Sequence, residues 1–112
     1  MASIRQEKIA GVIQKELGAI FQQEARTICL GAMVSVTIVR VTPDMGLAKV
    51  YLSIFGSSDK EEVLESIKQH AKEIRYNLAK IVRNQLRKTP ELAFYLDDSY
   101  DYAKTIDDLL KK

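Results

Sequence analysis

Glu61 to Lys88 reads EEVLESIKQHAKEIRYNLAKIVRNQLRK, a run with no glycine and no proline. Within it Leu64, Ile67, Ala71, Ile74, Leu78 and Ile81 recur at steps of three and four. That spacing puts apolar side chains on one face of an α-helix. Glu61, Glu62 and Glu65 suit the positive end of a helix, and Ser58 stands at capping-box distance from Glu61. An unbroken helix of this length would measure about 45 Å, longer than a small domain covers on one side. A break is therefore expected, centred on Ala71, Lys72 and Glu73.

The same run holds nearly all the positive charge. The chain carries a formal net charge of only +2. Residues 68–88 nevertheless contain seven basic side chains against one acidic, while the segments before and after are net acidic. On an ideal helix with Lys68 at 0°, the basic side chains span a sector from about 340° round to about 120°. These are Lys68, Lys72, Arg75, Lys80, Arg83 and Arg87, and Tyr76 projects among them. The apolar stripe lies beside this sector, between about 220° and 320°. A row of cations with few interleaved carboxylates matches a chain of phosphates. An aromatic ring inside the row can stack on a base or a ribose.

Outward from this helix the elements alternate between two periods. MVSVTIVRV, residues 33–41, and LAKVYLSIF, residues 47–55, are rich in β-branched residues and read as strands. Val34, Val36 and Ile38 share one face, then Val39 and Val41 fall on the other, which calls for a bulge or twist near Ile38. Thr42-Pro43-Asp44-Met45-Gly46 joins the strands as an antiparallel hairpin. In it Pro43 presets φ and Gly46 permits a positive φ. Residues 3–25 form a helix on the spacing of Ile9, Ile13, Leu17, Ile20 and Phe21, with Ser3 as N-cap. Gly11 and Gly18 weaken that helix, and their lack of side chains suits close packing on a sheet.

Thr89-Pro90 ends the long helix. Leu92, Phe94 and Leu96 alternate as a third strand, and Ser99 opens a short C-terminal helix, about 99–110, with Ala103, Ile106, Leu109 and Leu110 inward. The fold class is α+β, with helices on one face of a three-stranded sheet. One domain over residues 1–112 is expected for 112 residues of which 46% are hydrophobic and 29% charged.

Several chemistries find no support. A single cysteine, Cys29, excludes a disulfide within the chain and reads as a small buried hydrophobe. His70 is the only histidine, so no histidine cluster for a metal exists. No serine or cysteine has an evident base. Asp97-Asp98 reads as the end of a strand rather than a pair of catalytic carboxylates. No metal or cofactor is expected, and no enzyme. With neither a signal peptide nor a membrane span in view, a cytoplasmic protein is expected.

The motifs also carry a resemblance. Arg5 followed by Ile9, Ile13 and Leu17, the hairpin SVTIVRVTPDMGLAKVYLS, and IRYNLAKIVRNQLRKTPELAFYLDDS together resemble the ribosome-binding factor A family. Thr37, Val41, Asp44, Ala48, Val50 and Tyr51 match in the hairpin; Arg75, Leu86, Arg87, Pro90, Glu91, Leu92, Phe94, Asp97 and Ser99 match in the last segment. The resemblance implies a type II KH-like fold without a GxxG clamp. It implies a non-enzymatic factor, monomeric when free, that binds the small (30S) ribosomal subunit and 16S rRNA late in maturation, including cold adaptation. Arg5 and Lys8 on the first helix would extend the RNA-binding surface. The family marks its helix kink with Ala-x-Gly; here the aligned residues are Ala71-Lys72-Glu73. Without the glycine a kink built on positive φ is not available, so the break is expected to be milder or one or two residues away. Two other readings stand beside this one: a KH-like RNA- or DNA-binding protein acting outside ribosome assembly, and a dimerisation module that binds no nucleic acid.

Overall fold

The hairpin organises the sheet. A computed structural model describes residues 4–57, 59–86 and 88–97. Strand β1 (Met33–Val41) pairs antiparallel with β2 (Leu47–Phe55). The alternation of β2 is unbroken: Ala48, Val50, Leu52 and Ile54 are all buried. In β1 the register shifts between Val36 and Ile38, leaving Thr37 as the extra residue of a bulge. The shift lets Val34 and then Val39 and Val41 all reach the core, while Ile38 turns outward.

The turn differs from expectation in one detail. Positive φ is adopted by Met45, at 61°, and not by Gly46. Asp44 explains how the loop holds. Its Oδ1 accepts from the Thr42 hydroxyl at 2.6 Å and from the Gly46 N–H at 3.0 Å. These bonds hold the Asp44 carboxyl below the ordinary carboxylate range, the Thr42 hydroxyl contributing most.

Helix α1 (Ile4–Gln23) lies on the sheet through Ile13, Leu17, Ile20 and Phe21. Gln6 is also buried and donates to the Val41 carbonyl at 2.8 Å, tying the start of α1 to the end of β1. The two glycines of α1 do not serve close packing: a Cβ at Gly11 or Gly18 would meet nothing within 4 Å.

The long apolar run folds as two helices, α2 (Lys60–Gln69) and α3 (Ala71–Val82). Asp59 is the N-cap of α2, its carboxylate accepting from the Glu62 N–H at 3.1 Å. The cap expected at Ser58 falls on a residue outside the described set. The break falls at His70, one residue before the expected Ala71-Lys72-Glu73, and those three residues lie inside α3. His70 has φ −100° and ψ 13°, a conformation open to any L-residue, so no glycine is needed. Its ring Nδ1 donates to the Ser66 carbonyl at 2.7 Å, alongside the His70 N–H, which reaches that same carbonyl at 3.2 Å and the Ile67 carbonyl at 3.1 Å.

Helix α3 also ends early. It stops at Val82 rather than continuing to Lys88, and Arg83 to Gln85 form a turn. Ile81, placed in the apolar stripe by its spacing, is 46% exposed, while Ile74, Leu78 and Val82 face the core.

The two helices form the crossover that brings β3 (Glu91–Leu96) back parallel to β2. The sheet is mixed, in the order β1-β2-β3. The sequence helix-strand-strand-helix-helix-strand is that of the expected type II KH-like fold. One cluster of buried residues joins α1, all three strands, α2 and α3, and Phe21 meets Phe94 edge to face at 6.1 Å. The expected C-terminal helix, 99–110, and its Ser99 cap lie outside the described residues, as do the Ser3 cap and Asp98 of the Asp97-Asp98 pair.

Candidate nucleic-acid interface

The surface of α3 away from the core carries the charge. Dipole complementarity holds in both halves of the broken helix: Glu61 and Glu62 stand in the first turn of α2 and Lys68 in its last. Glu73 opens α3 and Lys80 closes it. Glu73 therefore sits where a carboxylate stabilises the helix start.

Lys72, Arg75, Tyr76 and Arg83 line one open groove, together with Ala79, Leu86 and Thr89. Lys72 and Arg83 are exposed. Tyr76 is 62% exposed, and the Lys80 ammonium lies 4.5 Å from the centroid of its ring. A cation at that distance over a phenol ring is attracted to its face. The pair offers a flat ring for stacking with a charge on one side.

Arg75 has a different setting. It is only partly exposed, and its guanidinium is braced against the chain entering β3. Nη2 donates to the Thr89 carbonyl at 2.7 Å and Nε to the Pro90 carbonyl at 3.2 Å. Both of those residues are buried, so the fork satisfies acceptors that water does not reach readily. The arginine lines the groove while holding its wall in place.

The remaining sequence-derived residues are distributed unevenly. Lys68 is exposed on α2 but does not line the groove of Tyr76. Arg5 and Lys8 are exposed on α1 and line a second groove, against Met45, Gln85 and Lys88. Leu86 lines both grooves, so the two adjoin. Arg87 lies outside the described residues. Gln85 and Lys88 were not singled out by sequence reasoning as site residues. Their placement depends on the turn after Val82, which no local motif announces.

Other chemistry finds little footing. Among the described residues no group of three or more His, Cys, Asp and Glu side chains could hold a metal ion. No described helix is long and apolar enough to cross a membrane. Cys29 is buried, with its Sγ 3.8 Å from the Phe21 carbonyl. Burial, and secondarily the charge of Glu24, push its thiol up to about 11.

Comparison with known proteins agrees with the fold. The family model described as Ribosome-binding factor A matches residues 5–110. A ribosome-binding factor A from Cytophaga hutchinsonii is 46% identical over 112 residues, covering 100% of this chain and 84% of that one. One from Flavobacterium psychrophilum is 50% identical over 111 residues, covering 98% and 85%. The crystal structure of ribosome-binding factor A from Thermus thermophilus superimposes with a TM-score of 0.68 at 20% identity, over 81% of this chain and 94% of that one. A Thermus thermophilus ribosome binding factor A homology model, fitted into a map of a 30S complex, gives a TM-score of 0.52 at 21% identity, covering 73% and 96%. With the family model spanning nearly its whole length and relatives near half identical, this chain belongs to the ribosome-binding factor A family.

Proposed function

We propose that the protein, as a single KH-like domain, binds the free small ribosomal subunit and contacts 16S rRNA through the exposed face of α3. It promotes late maturation of that RNA, including under cold adaptation, acts in the cytoplasm, and is a monomer when free. It is a binding protein rather than an enzyme and needs no cofactor. The observation that carries the reading is the strip of Lys72, Lys80 and Arg83 around the exposed ring of Tyr76. Cations there meet phosphates, and the ring supplies a stacking surface without base preference. The Thermus relative fitted into a 30S complex supports the choice of partner. Lys68, Arg75, Arg87, Arg5 and Lys8 complete the proposed surface, with Arg75 acting partly through the wall it holds.

The test is gradient sedimentation of lysate across a salt series. The protein should travel with free small subunits and not with translating ribosomes. Each cation removed by Lys72→Glu or Arg83→Glu should lower the salt slope by about one. Unchanged co-sedimentation of the double variant would overturn the reading. Recovery of other RNA or DNA in place of precursor 16S rRNA would instead favour a role outside ribosome assembly. The dimerisation reading has one observation in its favour, the exposed apolar pair of Met33 and Phe55 at one end of the open sheet face, 68% and 44% exposed. It predicts a stable dimer at micromolar concentration and no nucleic-acid binding.

A further inference from the structure

The groove between α1 and the turn after α3 is distinct from the strip around Tyr76. Its floor is apolar, built from Ile9, Val12, Met45 and Leu86. Its rim is basic: Arg5 and Lys8 stand along α1, and Lys88 stands across from them. No carboxylate is among its described lining residues. Asp44, which feels the Lys88 charge, is engaged by Thr42 and Gly46. The cavity volume of about 500 Å³ falls within the range of about 300–1,000 Å³ typical of sites for small organic groups.

We infer that this groove receives an unpaired base of the bound RNA, with Arg5, Lys8 and Lys88 on the phosphates that flank it. The inference rests on the RNA-binding reading above and extends it to a second subsite. Three features favour this occupant. The lining charge is entirely positive and complementary to a phosphate backbone, and the Asp44 carboxylate that acts on Lys88 stands outside the lining. An apolar floor accepts the face of an unstacked base, the form in which single-stranded RNA is read by proteins. The exposed Gln85 amide at the edge supplies both a donor and an acceptor for the rim of a base. Continuity supplies the path: Leu86 lines both this groove and that of Lys72 and Arg83, so a strand leaving the one passes directly into the other. Met45 closes the floor with a flexible thioether that adapts to bases of different shape.

The test compares two synthetic RNAs, a fully paired stem and the same stem with a bulged 4-thiouridine. The bulged RNA should bind about tenfold more tightly, the effect of one stacked base. On irradiation it should cross-link to peptides containing Met45, Gln85 or Ile9. The Arg5→Glu/Lys8→Glu variant, altered only at exposed positions, should lose both the preference and those cross-links while still binding the paired stem. Equal affinity for the two RNAs, with cross-links at Tyr76 alone, would overturn the subsite and leave the RNA-binding reading standing. Failure of both RNAs to bind at physiological salt would overturn that reading and the subsite with it. Loss of subunit association by the variant with unchanged RNA binding would assign the groove to a ribosomal protein and overturn the inference.

Discussion

Arg75 and Thr89 meet at 2.7 Å, guanidinium nitrogen to backbone carbonyl, across the gap between α3 and the entry to β3. With the Pro90 bond at 3.2 Å, the contact makes one side chain a brace for the turn that ends the helical crossover. Arg75→Ala leaves two buried carbonyls without that donor. It should cost about 1–3 kcal/mol of stability in urea unfolding. Arg75→Lys should recover little, because an ammonium does not reproduce the planar fork. A loss below about 0.5 kcal/mol, typical of a neutral surface change, would show the brace to be dispensable.

Tyr76 should behave in the opposite way. At 62% exposure it contributes little to packing, so Tyr76→Ala should leave stability within about 0.5 kcal/mol of the parent. RNA affinity should fall by about 1–3 kcal/mol, the usual worth of a stacked base. Tyr76→Phe should retain most of it. Fluorescence anisotropy with labelled small-subunit RNA measures both, and equal affinities for all three proteins would remove the ring from the interface.

The start of α2 rests on Asp59, whose carboxylate accepts from the Glu62 N–H. Asp59→Ala should destabilise the fold by about 1 kcal/mol, and Asp59→Asn should retain much of the cap. Chemical unfolding of the two variants in parallel separates the cap from the loss of a charge.

Cys29 carries a pH dependence. Its thiol is pushed up to about 11 from an ordinary 9.0, first by burial and then by the Glu24 charge. The raised value means that the unfolded chain releases this proton before the native one does. The stabilisation is therefore complete below pH 9.0 and is lost as pH rises through about 11. Unfolding measured at intervals over that window should show the decline, and Cys29→Ala should flatten it. The same burial should make native protein far slower than unfolded protein toward a thiolate-specific reagent at pH 8.

The strands were legible because their pattern is local. Both edges of 33–41 and 47–55 coincide with β1 and β2, and the phase change after Ile38 announces the bulge. The helices were legible as a face but not as lengths. Periodicity did not show the break at His70 or the end at Val82, and it placed in the stripe Ile81, which lies at the edge of the face that Ile74, Leu78 and Val82 bury. Arg75 sits at the border between stripe and charged sector, where periodicity does not decide between solvent and packing. Its partners, Thr89 and Pro90, arrive through a tertiary turn. The second groove was only half visible. Arg5 and Lys8 could be chosen from charge, but Gln85, Lys88 and Met45 reach them only once the hairpin turn and the end of α3 are folded together.

The bulge at Thr37 also acts outward. β1 stands at one edge of the sheet, and an edge strand presents a ready template on which another chain can add. Thr37 breaks the even spacing of that template. Gln14, reaching from α1, donates to the Val36 carbonyl at 3.1 Å and to the Thr37 carbonyl at 3.3 Å. An incoming strand would meet an irregular row with two acceptors already engaged. The residue that aligns the interior of the sheet thereby also guards its margin against aggregation.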